Sequence, residues 1–125
     1  MRILVTITPK DIQDFADLSG DHNPIHLDDK AAQQAGFNGR IAHGHLVGSL
    51  VSTALADAYP GCILCEETRK FCAPVYIGDI VEAVLGESVD NPFKPGRKIV
   101  FFKVQNQFDK VVIDGFVAIK LPKTD

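Results

Sequence analysis

One segment limits the possible folds more than any other. From His45 to about Tyr59, the large apolar residues Leu46, Val47, Leu50, Val51, Leu55 and Ala58 cover a half-turn of a helical wheel. Gly48, Ser52 and Ala56, at spacing four, make the opposite side, with Ser49 beside them. A helix apolar on one face and small on the other is expected to be buried all round, with something wrapping it closely on the small-residue face. Pro60-Gly61 ends it.

The flanking segments say what the wrapping is. Arg2 to Ile7 reads as a strand. Thr8 then offers an N-cap, Pro9 suits the first helical position, and Asp11 lies in the first turn. Ile12, Phe15 and Ala16 form one stripe, and Gly20 ends this first helix. Residues 20–28 read as an ordered loop with an Asn23-Pro24 turn. Asp28 or Asp29 then caps a short helix through Lys30 to Gln34, closed by Gly36. After the long helix everything is strand-like: Cys62–Tyr76 broken at Pro74, Ile80–Val89, and a Lys98–Phe108/Val111–Leu121 hairpin about Asp109-Lys110. The last strand alternates Val111, Ile113, Val117, Ile119 and Leu121 with a partly polar face, as an antiparallel sheet covered on one side requires. One strand, then helices, then four antiparallel strands resolve as an α+β fold, a curved sheet wrapped around one helix, the hot-dog architecture. The alternative is an α+β sandwich with the helix merely lying on the sheet.

With 125 residues, no repeat and no linker, residues 1–125 are expected to form one domain. A net charge of −3 argues against nucleic acid or an anionic membrane as partner. Arg40, Lys70, Lys94, Arg97 and Lys98 are the cations available to a polyanionic small ligand. The longest stretch free of Lys, Arg, Asp and Glu, Ile41 to Ala56, is too short and too polar to span a bilayer. The apolar run at the N-terminus is too short for a secretory signal, so the expected location is cytoplasmic. Cys62, Cys65 and Cys72 make no even disulfide set. Odd separations along a strand send their side chains to opposite faces, so they are expected as reduced, packed residues without metal.

Most ionisable residues that are not plainly surface groups lie between positions 21 and 45. Asp21 and His26 flank the Asn23-Pro24 turn, which can fold both side chains to one spot. A carboxylate beside an imidazole fixes its tautomer and supports the imidazolium, a general acid–base arrangement. His43-Gly44 precedes the long helix, whose N-terminal N–H groups and positive dipole end suit developing negative charge. Gly44 lets a substrate approach that backbone. Base, acid and oxyanion stabiliser are then present, without a nucleophile elbow, phosphate loop or dinucleotide fingerprint. Proton transfer is the chemistry that these parts suit. His22 and His45 fit no particular role.

The run Phe15-Ala-Asp-Leu-Ser-Gly-Asp21-His-Asn-Pro-Ile-His26 closely resembles the signature of MaoC-like, (R)-specific enoyl-CoA hydratases. Ile41-Ala42-His43-Gly44 resembles that family's second block and Pro74-Val-Tyr-Ile-Gly-Asp79 its third. The resemblance implies that Asp21 and His26 hold the water added to a trans-2-enoyl thioester, with Asn23 supporting their geometry. It implies that Gly44 N–H binds the thioester oxygen, with His43 beside it in the substrate site. Ser52 matches a position that contacts the catalytic Asp. If Ser52 points toward Asp21, Leu55, on the same helix face, either closes the acyl pocket or is plain core. It further implies a homodimer acting on an acyl-CoA or acyl-carrier-protein thioester, with coenzyme A along the subunit interface and neither metal nor redox cofactor. A hot-dog thioesterase and a non-catalytic acyl-binding subunit are the alternatives. The first would not need the Asp21–His26 loop, and the second would be expected to lack one of the pair.

Overall fold

The computed structural model describes residues 2–123. Strand β1 (Ile3–Thr6) leads into α1 (Pro9–Ser19), α2 (Pro24–Leu27), α3 (Asp29–Gln34) and α4 (Gly44–Ala58). Strands β2 (Ile63–Phe71), β3 (Ile80–Asp90), β4 (Arg97–Gln105) and β5 (Val111–Lys120) follow. They form one antiparallel sheet in the order β1-β3-β4-β5-β2. Register shifts at Leu64/Glu66, Leu85/Ser88 and Val104/Gln105 interrupt the ladders. Such irregularities increase local twist and bend a strand, which lets five strands curve over a helix.

Helix α4 packs on β3 and β4. Val47, Leu50, Val51, Ala54 and Leu55 meet Val81, Val100, Phe102, Val104, Val117 and Ile119 in one continuous core. This is the hot-dog arrangement, and its apolar face is the one expected. The small-residue face is different. Gly48 is buried, but Ser49, Ser52 and Ala56 are exposed, so within one chain the helix is covered on one side only. The sheet ends at β2, from which the Arg69 side chain reaches that face, donating from Nη2 to Gly48 O at 3.2 Å, and Phe71 lies against its first turn at Gly44.

Local signals set the ends of α1. Thr8 Oγ1 accepts from Asp11 N–H (3.1 Å), and Asp11 Oδ2 accepts from Thr8 N–H (2.9 Å), a reciprocal capping box. Gly20 closes the helix at φ 81°, a left-handed conformation costly for a residue with a Cβ. Residues 24–27 depart from the expected loop and make one helical turn, α2. Pro24 starts it, where its missing N–H costs nothing, and Asp28 N–H closes on Pro24 O at 2.9 Å. Asp28 caps α3 by accepting from Lys30 N–H (3.1 Å). Strand β4 stops at Gln105, short of the expected Phe108. Asn106 Oδ1 accepts from Phe108 and Lys110 N–H, holding a turn with Asp109 at φ 59°.

Candidate active site

The site lies where the segment from α1 to α3 crosses the N-terminus of α4. Asp21 stands in the turn after α1. Its amide donates to Ser19 Oγ (3.1 Å), and its Oδ1 accepts from Asn23 N–H (3.1 Å). Asn23 O in turn accepts from His26 N–H (3.0 Å). Asn23 therefore links the two expected catalytic residues through its main chain, and its side chain makes no capping bond.

His26, on α2, is buried, whereas the Asp21 side chain is half exposed. Its Nδ1 lies 2.8 Å from Ile41 O. A carbonyl only accepts, so Nδ1 carries the hydrogen and the neutral ring keeps a lone pair on Nε2. That Nε2 is 4.0 Å from Asp21 Oδ2, with the carboxylate at the solvent edge. The loop behind His26 is tied down twice more. Arg40 Nε donates to His26 O (2.8 Å), and Ile41 N–H to Ile25 O (3.2 Å). Arg40, read from the sequence only as a possible ligand cation, thus braces the main chain of the imidazole bearer. No sequence pattern marks that role, because it depends on a contact fourteen residues away.

His43 N-caps α4 without a side-chain cap bond, leaving the first-turn N–H groups uncapped by it. Its ring is buried and stacks on His26, with centroids 3.9 Å apart and 26° between planes. Phe15 lies 4.9 Å from it. Donor atoms of Asp21, His26 and His43 all lie within 4.8 Å of one another. Stacked imidazoles point their in-plane lone pairs side by side rather than at a common centre. The geometry suits proton movement better than an ion.

A cavity of about 440 Å³ opens beside His26, and neither Asp21 nor Asn23 is in its wall. His26 and Gly44 stand in its wall, and Phe37, Val47, Phe71 and Ile113 make much of the rest apolar. The Phe71 ring lies against Gly44, where an added Cβ would come 2.5 Å from Cε1. Phe71 belongs to the site and the sequence reading missed it, since its β-strand pattern gives no hint that it faces a helix start. His43, expected among the substrate-binding residues, is absent from the cavity wall and lies behind His26. Ser52 and Leu55 are not brought there either. They line a separate recess with Leu64, Glu67 and Arg69. Ser52 sits eight residues beyond Gly44, about 12 Å along the helix, and Leu55 is core.

The remaining candidates fall into ordinary places. Asp17 Oδ1 is 3.2 Å from His22 Nε2, and that contact, with Gly20 O, holds the His22 pKa above its usual value. His45 meets Phe71 edge-on at 5.7 Å. Cys62 packs against the core, Cys65 is half-buried, and Cys72, contrary to the packed reading, is exposed. Among the described residues no helix is long and apolar enough to cross a membrane.

Comparison with known proteins bears on the family and the fold. The family model described as MaoC like domain matches residues 1–115. The chain is 38% identical over 120 residues to the (R)-specific enoyl-CoA hydratase of Rhodospirillum rubrum, covering 94% of this chain and 81% of that one. It is 35% identical to the mitochondrial 3-hydroxyacyl-[acyl-carrier-protein] dehydratase of Arabidopsis thaliana, over 93% of this chain and 71% of the plant protein. Among solved structures, R-hydratase PhaJ1 from Pseudomonas aeruginosa superposes with a TM-score of 0.87 at 37% identity, over 99% of this chain and 80% of that one. The (R)-hydratase of Aeromonas caviae gives the same TM-score at 30% identity, over 98% and 93%. With a family model over most of its length and relatives at this identity, the chain belongs to the MaoC-like family of hydratases and dehydratases, and is a hydro-lyase.

Proposed function

We propose that the protein adds water to trans-2-enoyl thioesters to give the (R)-3-hydroxyacyl product, or runs the reverse dehydration, with Asp21 and His26 as its acid–base pair. The observation that carries this reading is the 4.0 Å gap between His26 Nε2 and Asp21 Oδ2. It is too long for a direct hydrogen bond, but a water donating one hydrogen to each group bridges it. That leaves the water's oxygen lone pair free for C3 of the substrate. As the C3–O bond forms, one member of the pair takes a proton from the water, and charge moves through C2 onto the thioester oxygen. The pair returns a proton to C2, so that H and OH have added and both groups are restored. General acid–base catalysis of this kind contributes on the order of 10²–10⁴ in rate.

Gly44 N–H, first in α4 and in the same cavity wall as His26, is the donor proposed for the thioester oxygen. The apolar side of that cavity suits the acyl tail. The chemistry calls on neither metal nor redox cofactor. The acyl group's carrier is coenzyme A or an acyl carrier protein. Crotonyl-CoA with simultaneous detection of free thiol tests the reaction. Loss of the conjugated enoyl absorbance without thiol release supports hydration, whereas thiol release with no hydroxyacyl product supports a thioesterase.

We also propose a homodimer. Edge strand β2 carries Ile63, Leu64 and Phe71, all more than half exposed, beside the uncovered small-residue face of α4. An apolar edge next to an open helix face is a surface that a second copy would cover. Light scattering at micromolar concentration checks this, and an active monomer would contradict it.

A further inference from the structure

Among the described residues His43 is the one buried titratable side chain besides His26, and the chemistry above gives it no role. Its surroundings give it one. The Nε2 atom lies 2.9 Å from Asp21 O, so Nε2 carries the hydrogen and donates it to the main chain of the proposed catalytic carboxylate. One ring face lies on His26, and Phe15 approaches the ring at 4.9 Å. A single side chain therefore touches both members of the acid–base pair, one through a hydrogen bond and the other through ring contact. With Nε2–H donated, Nδ1 is a bare lone pair, and it has no partner among the described residues.

That unpartnered nitrogen is what a purely space-filling residue would not have. A phenylalanine would fill the same slot between Phe15 and His26 with no buried polar atom left unpaired. The titratable groups packed against His43 are His26 from α2 and Asp21 from the preceding turn.

We infer that His43 is a positioning residue: a tether that sets the separation of Asp21 and His26 by holding the main chain of one and the ring plane of the other. This rests on the proposed acid–base reading of the pair. Three substitutions separate its two contacts. His43→Phe keeps the ring and loses the donor, His43→Gln keeps a donor and loses the ring, and His43→Ala loses both.

The expected result is a kcat at least tenfold lower for His43→Phe and for His43→Gln, with KM for crotonyl-CoA within about twofold of wild type, and a larger loss for His43→Ala. Amide exchange at Asn23, whose N–H is held by Asp21, should quicken in His43→Phe. Thermal midpoints establish that the variants are folded. A folded His43→Phe with wild-type kcat would overturn the inference, because a filler role predicts that outcome. A raised KM with kcat kept would overturn it too, by making His43 a substrate contact. If the wild type hydrates no enoyl thioester, the proposed reaction fails on its own. The exchange measurement then decides the tether, and unchanged protection at Asn23 refutes it.

Discussion

His26 Nε2 and Asp21 Oδ2 face each other across 4.0 Å, one at the end of a buried ring and the other on a half-exposed carboxylate. The contrast in burial divides the work. The imidazole is held rigidly by Ile41 O and by its stack on His43, while the carboxylate can reach water. A pair sharing one water acts as a unit. Asp21→Asn and His26→Ala should each lower kcat by several orders of magnitude with the fold kept, and the double variant should be little worse than either single one. Steady-state rates on purified, folded variants check this, and additive losses would speak against a shared water.

Gly44 makes a second test. A methyl there would sit 2.5 Å from the Phe71 ring, so Gly44→Ala must displace either the ring or the helix start. Activity should fall about 10²-fold or more, the scale of losing one oxyanion donor. If the ring is the obstacle, Gly44→Ala with Phe71→Ala should recover part of that loss. A double-mutant cycle on kcat/KM reads the coupling.

Leu55 lines the recess beside β2 and not the cavity beside His26. At 4% exposure within the α4 core, its replacement by Ala should cost about 2–5 kcal/mol of stability. Because the cavity beside His26 is bounded instead by Phe37, Val47 and Ile113, the preference among C4, C6 and C8 enoyl thioesters should stay where it was. Phe37→Ala should shift that preference toward longer chains, since each added methylene gains about 0.8 kcal/mol on burial. Thermal stability measured beside the chain-length series distinguishes the two positions.

How far the sequence revealed this molecule depends on the range of the interactions involved. The N-cap at Thr8, the close of α1 at Gly20 and the antiparallel strands after Gly61 are local or periodic features, and they are legible in the sequence, though the reciprocal bond from Asp11 is not. Asp21 and His26 were legible because five residues and a proline turn bring them together. Arg40, Phe71 and the place of His43 behind His26 were not. Each depends on how the α1–α3 segment, β2 and α4 meet, and no spacing encodes that meeting. The reading of α4 as wrapped on both sides erred for a physical reason. A stripe of small residues records close approach by something, and among the described residues Phe71 supplies it at Gly44 and Arg69 at Gly48, while Ser52 and Ala56 stay exposed.

The Asp17–His22 contact predicts a pH signature separate from catalysis. Hydrogen bonding to Asp17 raises the His22 pKa, and hydrogen bonding to His22 and Gln13 lowers that of Asp17. The His22 contribution to stability is complete below the unfolded value of about 6.5 and is lost as pH rises through the raised folded value. The Asp17 contribution is present above about 3.9 and is lost as pH falls through its lowered value. His22→Asn should therefore lower the thermal midpoint slightly near pH 5 and leave it nearly unchanged near pH 8. Both groups are well exposed, so the effect should shrink in high salt.

The central claim is that water adds to an enoyl thioester with fixed stereochemistry between Asp21 and His26. It is tested most directly by the configuration of the product formed from crotonyl-CoA, determined for the wild type and for Asp21→Asn side by side. The wild type should give (R)-3-hydroxybutyryl-CoA, and the variant a rate lower by orders of magnitude. An (S) product, free coenzyme A without a hydroxyacyl product, or equal rates from both proteins would contradict it.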